Sequence, residues 1–292
     1  MVGAGILLMR TREAIFMRTL RDAIYGVAVG DALGSPVQFM ERGSYPKVTE
    51  MVYCHIFDKE AGTWTDDTSM TLALCDSIKQ CGAIDTEDIY NRFRSWLESG
   101  KYTQDGKAFD VGRTCFTAIA THKGKDDIKS NGNGSLMRIV PLAFVEGISD
   151  RQIEEVSAVT HAHAISREAC RIYVHIAMDL KNGASIPEAV GGNVQETSPV
   201  FERLRSIKGC PADEIKSSGY VVDTLEASLW CLLNTSSFRD ALETAANLGG
   251  DTDTIGAVTG GLAGIFYGVE GMPKEWVAAL RKPEMIEECL FA

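Results

Sequence analysis

Two clusters of acidic residues sit beside glycines rather than on the solvated helix faces where carboxylates usually lie. The first is Gly62-Thr63-Trp64-Thr65-Asp66-Asp67-Thr68 and the second is Gly249-Gly250-Asp251-Thr252-Asp253-Thr254. Adjacent carboxylates repel one another, and taking them out of water is costly unless a cation neutralises them. Carboxylate and hydroxyl oxygens are hard ligands of the kind Mg²⁺ or Mn²⁺ takes, and no Cys or His lies nearby to suit zinc. Helix N-capping by Asp66 and Asp251 would account for one acid in each cluster. Two acids per cluster, each with a threonine beside them, favour a metal. The string Asp-x-Asp-Thr also occurs where an aspartate is phosphorylated, but there it ends a hydrophobic strand early in its domain. Here it follows a helical pattern late in the chain. A calcium loop fails because neither cluster has a glutamate at the twelfth position.

Three further elements carry chemistry-bearing residues. Ser130-Asn131-Gly132-Asn133-Gly134-Ser135 precedes Leu136-Met137-Arg138. Small polar residues alternating with glycine expose backbone N–H groups that suit phosphate or ribose oxygens, although a plain turn of this composition is commoner. Gly26-Val27-Ala28-Val29-Gly30-Asp31-Ala32-Leu33-Gly34 places glycines four residues apart on a helix, a spacing that suggests close helix packing ahead of a ligand role. In Thr160-His161-Ala162-His163 the two imidazoles are two residues apart, which is not a helical metal pair.

The elements that must position these residues are helical. Leu20, Ile24, Val27 and Ala28 trace one face of a first helix, and Met70 to Ile78 belong to a buried second one. Asp85 caps a third that carries Ile89, Phe93, Trp96 and Leu97. Cys115 to Ala120 suggest a fourth and Leu136 to Val145 a fifth, interrupted by Pro141. Ser149 or Asp150 opens the next, Ser166 another, and Ser185-Ile186-Pro187-Glu188 has capping-box spacing. Later helices are expected over 221–233, 238–246, 255–267 and 273–280. Residues 48–56 read as a loop or a short strand. The expected fold is all-α, a single compact multi-helix domain over 18–292, preceded by a flexible extension over 1–17 with Met17 an alternative start.

Composition narrows the function classes. The 292 residues are 45% hydrophobic and 24% charged, as in a globular protein with a sizeable core. With 29 basic and 40 acidic side chains the formal net charge is −11, which disfavours nonspecific binding to nucleic acid or to anionic lipid. The eight cysteines are dispersed without a C-x-x-C pair and read as reduced core residues of a cytoplasmic protein. The N-terminal apolar run lacks a preceding basic segment, so no signal peptide is expected. No stretch reaches the 18 or so uninterrupted apolar residues of a membrane helix.

Taken in order, GVAVGDALGSPVQF, GTWTDDTSM, SNGNGSLMR, THAH and NLGGDTDTIGAVTGGLAG resemble the ADP-ribosylglycohydrolases, relatives of the dinitrogenase reductase-activating glycohydrolase. The resemblance spans most of the chain. It implies an all-α fold with two Mg²⁺ or Mn²⁺ ions at the base of a cleft, and hydrolysis of the bond joining ADP-ribose to an acceptor. Thr65, Asp66 and Asp67 would then bind metal from one side and Asp251, Asp253 and Thr254 from the other, with Asp253 bridging. Ser130, Gly132, Asn133, Gly134 and Ser135 would surround the diphosphate and distal ribose, Asp110 and Gly112 would border the same ribose, and His161 would face the cleft. Asp66, Asp67 and Asp253 carry the expected catalysis. His163 keeps a structural reading.

One position departs from the pattern. Many relatives carry a glutamate four residues after the glycine that ends the first motif, as a base or gate; here that residue is Gln38. An amide cannot take a proton from water, so a mechanism that needs this base would lose about 10²–10⁴-fold. Three explanations follow: the metals and another aspartate suffice, the glutamine is an introduced substitution, or the protein binds ADP-ribose without turnover. The first is favoured. A hydrolase of the same fold acting on a small nucleoside or another N-glycoside, rather than on a modified macromolecule, is a further alternative. Arginine, serine, another protein side chain, a nucleobase or a small guanidine compound would each present the same ribose, so the acceptor and the oligomeric state stay open. Nucleic acid enters only as a modified acceptor.

Overall fold

The computed structural model describes residues 18–291, and the expected extension over 1–17 lies outside the described residues. Among the described residues twelve α-helices follow one another: α1 (Leu20–Gly34), α2 (Asp66–Cys81), α3 (Thr86–Ser99), α4 (Arg113–Thr121), α5 (Asp150–Ala158), α6 (Ala164–Lys181), α7 (Ile186–Asn193), α8 (Val221–Leu233), α9 (Phe238–Ala246), α10 (Thr252–Tyr267), α11 (Lys274–Ala279) and α12 (Pro283–Cys289). No strand forms among the described residues; 48–56 is irregular, with one bridge between Cys54 and Lys59. No helix among the described residues is long and apolar enough to cross a membrane. Six of the eight cysteines are buried, Cys81 is exposed, and all are free thiols.

At the centre, α1 and α10 run antiparallel with their backbones in contact. Gly26 faces Gly260, Gly30 faces Gly256, and Gly34 faces Thr252. A Cβ added at Gly30 would lie 2.0 Å from the Gly256 carbonyl oxygen, and one at Gly260 would lie 2.1 Å from that of Gly26. Only hydrogen fits at these positions. Thr252 Oγ1 closes the seam by donating to the Gly34 carbonyl at 2.9 Å. The glycine spacing therefore serves helix packing, and the packing fixes where the C-terminus of α1 meets the N-terminus of α10.

Capping sets the other boundaries. Asp85 accepts from the Glu87 and Asp88 amides, and Ser149 and Ser185 form capping boxes with Gln152 and Glu188. Several expectations are corrected. The single helix over 136–145 is two short 3₁₀ segments, Leu136–Arg138 and Val140–Phe144; Pro141 lacks the N–H that a continuous α-helix would use. Helix α6 starts at Ala164, before Ser166, because His163 caps it by accepting from the Ile165 amide. Helix α10 starts at Thr252 rather than Ile255, which brings Asp253 and Thr254 into its first turn. The 3₁₀ segment Pro199–Gly209 and helix α12 had no counterpart in the sequence reading.

Candidate active site

The first turns of α2 and α10 meet. Thr65, not Asp66, caps α2: its hydroxyl accepts from the Asp67 amide at 3.4 Å. Asp251 occupies the cap position of α10 without a side-chain cap bond, and its Oδ2 instead accepts from Asn133 Nδ2 at 2.5 Å. Neither carboxylate is thus consumed by capping. Asp67 joins the two helices, its Oδ2 accepting from Thr65 Oγ1 at 3.1 Å and from Thr254 Oγ1 at 3.4 Å.

The far oxygens tell more. Asp67 Oδ1 and Asp253 Oδ1 are buried with no hydrogen-bond partner. Burial, reinforced by neighbouring carboxylates, holds Asp66, Asp67 and Asp253 well above the usual carboxylate range. Burial raises Asp110 and Asp251 as well, against the hydrogen bonds each accepts. Unpartnered buried carboxylate oxygens at two helix N-termini form a donor set that suits a hard divalent cation. Among the described residues no three His, Cys, Asp or Glu side chains close into a ready metal cage. Asp67 and Asp251 each turn one oxygen toward hydroxyl or amide donors, and the Thr65 and Thr254 hydroxyls add further oxygens.

Above these helix ends lies a cavity of about 270 Å³. Asp66, Asp110, Asp251, Asp253 and Thr254 line it on the acidic side, and Gly132, Asn133 and Gly134 on another. Gly112 completes the edge at the start of α4. The glycine loop is stitched to the segment before α8: Asn133 N donates to the Gly219 carbonyl at 3.1 Å and Val221 N to that of Asn131 at 3.0 Å. Its end serines turn away from the cavity. Ser130 Oγ donates to Asp127 Oδ2 at 2.8 Å, and Ser135 Oγ accepts from Ser157 Oγ at 3.0 Å.

His161 lines the same cavity, packed against the glycine loop. It is 2% exposed, and a Cβ at Gly134 would come within 2.9 Å of its ring. Burial, with the Arg138 guanidinium nearby, lowers it to about 3, so it is neutral at physiological pH. His163 is structural, its Nδ1 paired with Asn131 Nδ2 at 2.9 Å. Gln38 is fully buried and donates from Nε2 to Asp110 Oδ2 at 2.8 Å, while its Oε1 has no partner. The Gln38 amide therefore holds Asp110.

The sequence model of the ADP-ribosylglycohydrolase family matches residues 12–292. The chain belongs to that family. It is accordingly a hydrolase. It is 36% identical over 284 residues to ADP-ribosylarginine hydrolase Tri1 of Pseudomonas putida, covering 92% of this chain and 76% of that one. It is 32% identical to the ADP-ribosyl-[dinitrogen reductase] glycohydrolase of Rhodospirillum rubrum, with 88% of each covered. Among solved structures, an ADP-ribosylglycohydrolase-related protein complex superposes with a TM-score of 0.80 at 30% identity, covering 92% of this chain and 94% of that one.

Several residues in or behind the cavity escaped the sequence reading. Asp31, fully buried within α1, accepts from Thr65 N and Thr68 N at 3.0 Å and from Thr68 Oγ1 at 2.6 Å. Burial, opposed by these bonds, raises it to about 7. An acid inside a glycine-spaced apolar helix was the available signal. Arg42 donates to the carbonyls of Leu248, Ala212 and Ile215 at 2.5, 2.5 and 2.6 Å, tying the turn before Asp251 to the 212–215 segment. Arg113 and Lys129 line the cavity beside the glycine loop, and Phe39 stands at its edge.

Proposed function

We propose that this protein is a Mg²⁺- or Mn²⁺-dependent hydrolase that releases ADP-ribose from an arginine side chain. The observation that carries the reading is the pair of buried, unpartnered oxygens, Asp67 Oδ1 and Asp253 Oδ1, at two facing helix ends. Asp66, Asp67, Asp251 and Asp253, with the Thr65 and Thr254 hydroxyls, would hold two cations. Bound there, the ions would offset carboxylate repulsion, orient the distal ribose and acidify the attacking water. The Gly132–Gly134 backbone, with Arg113 and Lys129 beside it, suits the diphosphate. Asp110, held by Gln38, would border the ribose. A carboxylate of the cluster would accept the proton of a water held there, since the Gln38 amide is not a base and burial leaves His161 a weak one. Arginine as acceptor follows the name of the Pseudomonas relative.

The test is an ADP-ribose release assay on arginine-, serine- and nucleobase-linked substrates with Mg²⁺, with Mn²⁺ and with chelator. Release from the arginine linkage that chelator and Asp251→Ala both abolish is the expected result. No release from any substrate with either metal overturns the reading. A second reading, metal-dependent ADP-ribose binding without turnover, draws on the buried Gln38 amide. It would be supported if the wild-type protein binds ADP-ribose but is inert, and Gln38→Glu restores release.

A further inference from the structure

Phe39 combines backbone strain with an exposed aromatic ring. Its backbone has φ of 64°, the left-handed region that bulky residues avoid, and its side chain is 64% exposed. The strain is held by its neighbours. Phe39 N donates to the Gly250 carbonyl at 2.6 Å, and Gly250 N donates back to the Met40 carbonyl at 2.8 Å. Gln38, on the other side, is bonded to Asp110. The phenyl ring is thus fixed between a residue that grips Asp110 and a turn that leads into Asp251, and it lines the cavity those carboxylates share. Strain kept at such a place points to function rather than to stability.

The cavity's size says that a large ligand must reach beyond it. At about 270 Å³ it falls short of the roughly 300–1,000 Å³ pockets that enclose a drug-sized ligand. An ADP-ribosylated acceptor therefore extends past the cavity edge. An aromatic face next to several carboxylates attracts a planar cation, and a guanidinium stacks on such a face while its N–H groups reach the acids.

We propose that Phe39 is the acceptor-side specificity residue, stacking on the guanidinium of an ADP-ribosylated arginine. The inference rests on the hydrolase reading above for its substrate, and it adds the group that distinguishes a cationic acceptor. Phe39→Ala is expected to lower kcat/KM for an arginine-linked ADP-ribosyl peptide about three- to thirty-fold. Its affinity for free ADP-ribose, read by calorimetry, should fall by less than that. Phe39→Tyr restores the ring and should recover most of the loss, which separates stacking from misfolding. An equal fall in both quantities, or no fall in kcat/KM, overturns the inference. If the wild-type protein releases nothing, the hydrolase reading fails on that result alone and the binding arm decides this one. Phe39→Ala must then weaken the arginine-linked peptide more than free ADP-ribose, and equal weakening overturns it.

Discussion

Asp31 shows how a residue set back from the cavity can govern a site. Its carboxylate takes both Thr65 N and Thr68 N, together with the Thr68 hydroxyl, so it sets where α2 begins. An asparagine would turn an NH₂ group toward those donors. Asp31→Asn is expected to cost about 1–3 kcal/mol of stability, because buried donors lose their acceptor. It should also lower turnover about 10²-fold by displacing Asp66 and Asp67. Denaturant unfolding and release kinetics measure the two effects; unchanged kinetics would refute the positioning role. The carboxylates themselves were legible because four acids and their threonines stand next to glycines. Asp31, Arg42 and Phe39 were not, because each acts through a partner far away in sequence. Arg42 finds Leu248, and Phe39 finds Gly250, only after the chain has folded.

Between elements, the α1–α10 seam decides the geometry of the helix ends. Gly30→Ala would drive a methyl into the Gly256 carbonyl, so the two helices must separate. A loss of at least about 1–3 kcal/mol is expected, the usual range for overpacking. Gly191 in α7 is a fitting control, since a Cβ there meets nothing within 4 Å. Gly191→Ala should be neutral or add about 0.4–1 kcal/mol. Paired thermal melts test the contrast, and similar shifts for the two variants would remove the packing argument. Helices α8 and α9 were read at their observed bounds because strong periodicity coincides with clear ends. The 136–145 region was misread because its apolar residues are buried in 3₁₀ turns, where periodicity misleads and Pro141 decides. Helix α12 is only seven residues long, too short to show a period.

For the molecule as a whole, the buried acids couple folding to pH and to cations. A carboxylate whose folded pKa lies above its unfolded one binds more protons in the native state, so stability falls as pH rises through that interval. For Asp31 the interval runs from 3.8 to about 7, and Asp66, Asp67 and Asp253 are shifted in the same direction. The chelated protein should therefore melt at a higher temperature at pH 5 than at pH 8, and Mn²⁺ should raise the melting temperature more at pH 8. Calorimetry at the two pH values, with and without Mn²⁺, checks this; equal Mn²⁺ shifts would separate the acids from cation binding. The seam at the centre also bears on how the chain is made. Thr252 and Gly34 meet across 218 residues, so the first helix leaves the ribosome long before the helix that covers it exists. At the usual elongation rate of about 5–20 residues per second, α1 waits roughly 10 to 45 seconds for α10. Throughout that interval its glycine-lined face is uncovered, a natural substrate for a chaperone during synthesis.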